Sequence, residues 1–195
     1  FSSANSINWG RLLPQIVYYF SAYLDLVNAK KITMGDAINV VVPTGNFGNI
    51  LASYYAKRMG LPVHKFICAS NSNNVLTDFI RTGTYDKKRA FYTTISPSMD
   101  ILVSSNLERL LYHLCGEDTE KLTGWMNALQ SGGAYTVDAA TADAVRALFY
   151  GGCCDDQETV EVIRNTFEKD GYLCDTHTAV AVGVYEQYLK ETGDN

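Results

Sequence analysis

The sequence has little that would carry it into a membrane, onto a nucleic acid or around a metal ion. Its apolar stretches are short and interrupted, whereas a membrane-spanning helix needs about 20 consecutive apolar residues, so no such span is expected. Basic charge is in deficit: 16 Lys and Arg stand against 21 Asp and Glu, a net charge of −5. Non-specific nucleic-acid binding needs clustered cations to neutralise phosphates, so that partner class is disfavoured. The five cysteines, Cys68, Cys115, Cys153, Cys154 and Cys174, form no CxxC pair and no zinc pattern. Cys153 and Cys154 are adjacent and cannot bridge each other without strain, and the odd total leaves one thiol over. They read as reduced thiols of a cytosolic protein. A catalytic Cys–His pair would need His64, His113 or His177, and nothing local points to one. Phe1 to Asn5 lack the basic and then apolar regions of a signal peptide. An initiator Met is also missing, and an amphipathic helix begins almost at once, so an internal fragment of a longer protein is expected.

What is present is an ordinary globular composition, 47% hydrophobic and 19% charged, with chain enough for one domain and a sizeable core. Asn8 to Val27 is apolar at helical spacing, with Asn8 as candidate N-cap and Pro14 within the first turns. Ala37 to Val42 is a β-branched run of strand length, near-continuously apolar like a strand buried on both faces. Ile50 to Met59 reads as a helix stopped by Gly60, His64 to Ala69 as a second strand, and Val75 to Arg81 as a helix capped by the Asn71–Asn74 loop. Strand, helix, strand, helix with short connections implies an α/β fold: a parallel sheet flanked by helices. Further on, Arg89 to Thr94 is a candidate third strand and Ala134 to Val137 a short one. Helices are expected at Asn106–Leu114, Asp118–Gln130, Thr141–Phe149, Asp156–Lys169 and His177–Lys190.

The loop Gly45-Asn46-Phe47-Gly48-Asn49 lies between a buried strand and a helix N-terminus. Unpaired N–H groups and the positive end of the helix dipole suit an anion there, and the glycines let the backbone approach closely. The spacing is not GxGxxG, and the Lys and Ser/Thr of a P-loop are missing, so a dinucleotide or nucleoside triphosphate is disfavoured. Such a loop serves either as an anion cradle or as a tight strand-to-helix turn with no ligand. Asn5, Ser6, Asn8 and Arg11 bring amides, a hydroxyl and a guanidinium to the start of the first helix. They form either a second anion site, with Arg11 as a bidentate fork, or a helix cap beside a solvated Arg.

The segments NSINWGRLLPQIVYYF, VVPTGNFGNILASYYAKRMGLP, ASNSNNVLTDFIRTGTY, SPSMDILVSSNLERLL and CDTHTAVAVGVYEQY, in that order, closely resemble threonine synthase. That family consists of fold-type-II enzymes dependent on pyridoxal 5′-phosphate (PLP), and the resemblance covers essentially the whole chain. It implies that residues 1–195 are part of the large PLP-binding domain of such an enzyme. By resemblance, Gly45, Asn46, Phe47, Gly48 and Asn49 hold the cofactor phosphate. Asn5, Ser6 and Arg11 hold the phosphate of the substrate O-phosphohomoserine, Asn8 acts as a cap, and Asn49 can face either phosphate. The implied reaction is that of a carbon–oxygen lyase acting on phosphates in amino-acid biosynthesis: O-phosphohomoserine and water give threonine and phosphate, with PLP as electron sink. The implied location is cytoplasmic.

That chemistry also needs a lysine to form the Schiff base. In the family it follows an apolar pair well upstream of the NSIN segment, and no lysine here stands in that context. Those present read as solvated surface residues, so the catalytic lysine is expected to be absent and the chain alone inactive. The family segment that contacts the pyridine nitrogen, past the CDTHTAV helix, is expected to be missing too. Asp175 is read as the cap of that helix and His177 as covering its first turn. Two rivals share these features. One is another fold-type-II enzyme, such as a serine/threonine dehydratase or cysteine synthase. The other is a non-catalytic phosphate- or PLP-binding module.

Overall fold

The β-branched run before the glycine loop forms the edge of a parallel sheet in a computed structural model, which describes residues 5–194. Phe1 to Ala4, read above as neither leader nor natural start, lie outside the described residues. In chain order the elements are α1 (Trp9–Asn28), β1 (Ile38–Pro43), α2 (Gly48–Arg58), β2 (Val63–Ser70), α3 (Val75–Thr82) and β3 (Thr84–Asp86). A 3-10 turn at Pro97–Met99 precedes α4 (Leu107–Leu114), α5 (Thr119–Gly132), β4 (Ala134–Thr136), α6 (Ala139–Leu148), β5 (Phe149–Cys153), α7 (Asp156–Asp170) and α8 (Thr176–Thr192).

The sheet order is β1-β2-β5, all parallel, with β2 in the centre. Successive side chains alternate between two covered faces. Val40, Val42, Phe66, Cys68 and Phe149 join the core beneath α1, α2 and α3. Val41, Ile67, Ala69 and Tyr150 pack against Val180, Val184 and Tyr188 of α8. Helices on both faces are what demand the continuous apolar run, because neither side of the strand meets water. Burial pushes the Cys68 thiol up to about 12, so it behaves as a small apolar side chain. Pro43 ends the edge strand β1, and Thr44 N–H resumes the pairing at 2.8 Å from the Ala69 carbonyl.

Several sequence expectations need correction. Arg89–Thr94 is not a strand. Its backbone is engaged by side chains instead: Tyr92 N donates to Asn73 Oδ1 at 2.9 Å, and Asn73 Nδ2 to Tyr92 O at 2.8 Å. The third parallel strand is Phe149–Cys153, which had been read as the end of a helix and a glycine break. Its glycines weaken a strand pattern but allow helices to approach from both sides. A Cβ on Gly151 would reach 3.0 Å from Thr77 Cα of α3, and one on Gly152 would reach 2.7 Å from Val184 of α8. Ala134–Thr136 does form a strand, but in a separate antiparallel pair with β3, where Tyr85 and Tyr135 stack at 5.5 Å. Pro14 lies within the first turns of α1 as expected, as its sixth residue, though past the amides that have no intrahelical acceptor.

The Asn71–Asn74 loop also does something other than capping. Asn74 occupies the N-cap of α3 without a side-chain cap bond. Asn71 and Asn73 are buried and, with Thr94, surround the Asp100 carboxylate: Asn71 Nδ2 at 2.7 Å, Asn73 Nδ2 at 3.0 Å and Thr94 Oγ1 at 2.8 Å. This cluster moors the long connection between β3 and α4 to the C-terminal end of β2. Charge-assisted bonds of this kind compensate the half-buried carboxylate.

Candidate functional site

The turn from β1 into α2 is built around Phe47, whose backbone is left-handed (φ 62°, ψ 7°). Such a conformation costs a non-glycine residue about 1–3 kcal/mol. The ring is fully buried, tilted against Phe149 at a centroid distance of 5.7 Å, and that burial holds the turn in place. Phe47 occupies the N-cap of α2 but has no side-chain oxygen to serve as a cap. The first amide bonded back is Leu51 N to Phe47 O, at 3.1 Å, so the N–H groups of Gly48, Asn49 and Ile50 precede the helical ladder. A left-handed residue followed by helical ones gathers successive N–H groups into an anion-binding concavity. Gly45 is required by close approach, since a Cβ there would lie 2.7 Å from the Ser98 carbonyl oxygen.

The second expected site folds onto the first. A Cβ on Gly48 would collide with the Ser6 side chain, so the Asn5–Arg11 segment lies directly on the start of α2. Both line one cavity of about 560 Å³, with Gly45 to Asn49 on one wall and Asn5, Ser6 and Arg11 on the other. Asn8 caps α1, its side chain accepting from Gly10 N at 3.0 Å, and does not line the cavity. The exposed Arg11 guanidinium has no hydrogen-bond or ion-pair partner among the described residues, which leaves its planar fork available for an anion.

The Asn49 side chain, which the sequence left open between two phosphates, is engaged with α1. Its Nδ2 donates to Gln15 Oε1 at 3.1 Å, and its Oδ1 accepts a short bond from the Tyr19 hydroxyl. Tyr19 also donates to the Asn49 carbonyl at 3.2 Å. Burial raises the Tyr19 phenol above its ordinary range, so it stays protonated and donating. Gln15 Nε2 in turn donates to Ser6 Oγ at 3.2 Å and to Arg11 O at 2.8 Å. One glutamine therefore touches both segments.

Gln15, Tyr18 and Ser98 are among the further lining residues and were not anticipated. The first two follow Arg11 at i+4 and i+7, one face of a helix, so spacing alone could have found them. Ser98 had no local signal, because it reaches the site through the moored loop. Its N–H donates to His177 Nε2 at 3.2 Å, and His177 Nδ1 lies 3.3 Å from Asp175 Oδ1. His177 thus fixes a cavity wall in addition to sitting in the first turn of α8. Asp175 is the cap of α8 as expected, accepting from His177 N at 2.9 Å and Thr178 N at 3.3 Å.

No lysine lines the cavity among the described residues. Some lysines do more than solvate the surface: Lys65 Nζ donates to the carbonyls of Arg146 and Ala147, at 3.1 and 2.8 Å, and Lys57 Nζ to that of Val63. No helix among the described residues is long and apolar enough to cross a membrane. The cavity is of a size that takes a small organic ligand. With uncapped amides on one wall and a guanidinium on the other, it suits a ligand bearing phosphate.

No protein-family model matches the chain. Similar proteins are nonetheless plain. The human protein named threonine synthase-like 1 is 50% identical over 192 residues, spanning 98% of this chain and 26% of the relative. Threonine synthase of Schizosaccharomyces pombe is 40% identical over 212 residues, spanning 98% of this chain and 41% of the relative. The crystal structure of PLP-bound threonine synthase from Brucella melitensis superposes with a TM-score of 0.90 at 42% identity, over 100% of this chain and 40% of that one. The chain thus spans well under half the length of these relatives.

Proposed function

Because the chain belongs to the threonine synthase family of fold-type-II PLP enzymes, we propose that its cavity is the two-phosphate site of a threonine synthase. Gly45 to Asn49 receive the cofactor phosphate on the open amides of α2, and Asn5, Ser6 and Arg11 receive the phosphate of O-phosphohomoserine. The observation that carries this reading is the seating of Ser6 on Gly48, which brings two separately recognisable anion-binding segments into one cavity.

The residues present fit the cofactor. The amides of Gly48, Asn49 and Ile50 lack intrahelical acceptors, and the positive end of the helix dipole stands behind them. When bound, PLP supplies an electron sink that permits loss of the substrate's phosphate and addition of water at the β-carbon. This chain's part is to hold and orient. Two phosphates in one cavity repel each other, and the Arg11 guanidinium offsets that repulsion from the substrate side. Gln15 fixes the spacing between the two binding segments by bonding to Asn49 and Ser6. The lysine the reaction requires is proposed to come from a part of the protein outside this segment, so the 195-residue chain is inactive by itself. A cytoplasmic location is part of the same reading.

The test is turnover of O-phosphohomoserine by the full-length protein, scored by both phosphate release and threonine formation. Deamination of threonine without phosphate release would replace the reading with a dehydratase. PLP binding without turnover of either substrate would replace it with a non-catalytic module. Turnover by the 195-residue chain would overturn the assignment of the lysine.

A further inference from the structure

The motif Ser104-Ser105-Asn106-Leu107-Glu108-Arg109 has no part in the site as described so far, yet its side chains grip both anion-binding segments from behind. Arg109 Nη1 donates to Ser6 O at 2.8 Å, and Nη2 makes a short bond to Ile7 O. The same guanidinium donates to Asn106 Oδ1 at 3.2 Å. Asn106 Nδ2 donates to Asn46 O at 2.8 Å, and its backbone N–H reaches the same oxygen at 3.2 Å. Ser104 Oγ donates to Gly45 O at 2.8 Å. Neither Asn106 nor Arg109 lines the cavity.

The position of Asn106 is informative. It stands at the N-cap of α4, where an asparagine ordinarily accepts from the backbone of its own helix, but it makes no cap bond. Its amide bridges Arg109 to the Asn46 carbonyl instead. Asn106 is completely buried, so a lost partner would leave a desolvated polar group.

An anion held by backbone N–H groups is repelled by any carbonyl turned toward it, and each peptide plane carries both groups on opposite edges. We propose that Arg109 and Asn106 are positioning residues. Together they form a clasp that holds the carbonyls of Ser6, Ile7 and Asn46 out of the cavity, and so fixes the backbone of both phosphate-binding segments at once. The clasp rests on the two-phosphate reading of the site, and it couples the halves: loosening it weakens both. A guanidinium is needed because three acceptors at fixed angles are served by one planar fork, and an ammonium cannot serve them with the same geometry.

The test compares Arg109→Lys, Arg109→Gln and Asn106→Asp in the full-length protein. Binding of inorganic phosphate and of PLP is titrated separately, alongside the melting temperature. The expected result is a fall of about tenfold or more in affinity for both ligands in each variant, from the loss of a charged or buried hydrogen bond. Lysine is expected not to rescue. In variants that remain folded at the assay temperature, affinities equal to wild type would overturn the clasp, as would a loss confined to one ligand or restoration by lysine. Arg109→Gln keeps one amide donor and Asn106→Asp keeps the shape, so the test does not depend on a single variant folding. Wild type that binds neither ligand overturns the clasp together with the site. Wild type that binds both in an Arg109-dependent way, yet releases no phosphate from O-phosphohomoserine, leaves the clasp standing and removes only the reaction.

Discussion

Helices α2 and α7 each follow a parallel strand of the same sheet, but their first turns are finished in opposite ways. At α7, Asp155 Oδ1 accepts from Glu158 N at 2.8 Å, and Glu158 Oε2 accepts from Asp155 N at 2.9 Å, a reciprocal capping box that closes the end. At α2 the N-cap is Phe47, which offers no acceptor, and an aromatic ring anchored in the core takes the place of a polar cap. One helix start is completed by its own sequence, and the other is left with donors facing a cavity. The difference separates a helix end closed by its own side chains from one whose amides stay open toward a cavity.

The largest expected effect comes from giving α2 the negative charge that α7 already carries. Asn49→Asp places a carboxylate in the first turn of α2, where the helix dipole favours it by about 0.3–1 kcal/mol, set against the lost Asn49 Nδ2 bond to Gln15. The same charge repels a phosphate at the open amides, and phosphate affinity should fall about tenfold or more. Paired measurement of thermal stability and phosphate binding by titration checks this. An unchanged phosphate affinity would mean that α2 is an ordinary helix end.

Opening α7 gives a smaller and opposite result. Asp155→Ala should cost about 1 kcal/mol in denaturant unfolding and leave phosphate affinity unchanged. A change in affinity would show that the two helix ends are not independent.

The smallest effect is an acid one at α8, whose start is also closed by an aspartate. The Thr178 hydroxyl, helped by the Thr178 and His177 amides, holds the Asp175 carboxyl down to about 2. An unfolded aspartate titrates near 3.9, so the cap's contribution is complete above about pH 4 and is lost as the pH falls toward about 2. Across that window the melting temperature of the wild type should drop more steeply than that of Asp175→Asn, which keeps an uncharged acceptor. Parallel slopes would sink the assignment. The carboxylate is largely exposed, which keeps the effect small.

How much of this was legible depended on whether the cause lay within a few residues. The start of α2 could be read because glycine spacing, a buried strand and the following helix are adjacent in the chain. Asn8 and Asp175 could be read as caps for the same reason, a polar side chain reaching amides two or three residues on. Strand β5 could not, because its glycines answer to helices α3 and α8, which pack on it from elsewhere in the chain. The segment Arg89–Thr94 misled because a β-like run of residues was satisfied by asparagine side chains rather than by a neighbouring strand.

The sequence by itself carried the α/β class, the two candidate anion segments and the resemblance to threonine synthase, through periodicity, local turn chemistry and ordered motifs respectively. Only the tertiary structure decided that Ser6 rests on Gly48, that Gln15 ties the two segments together, and that Arg109 and Asn106 hold both from behind. Most of those contacts join residues far apart along the chain, and hydrogen bonds of that reach exist only once the sheet and its helices have set the distances.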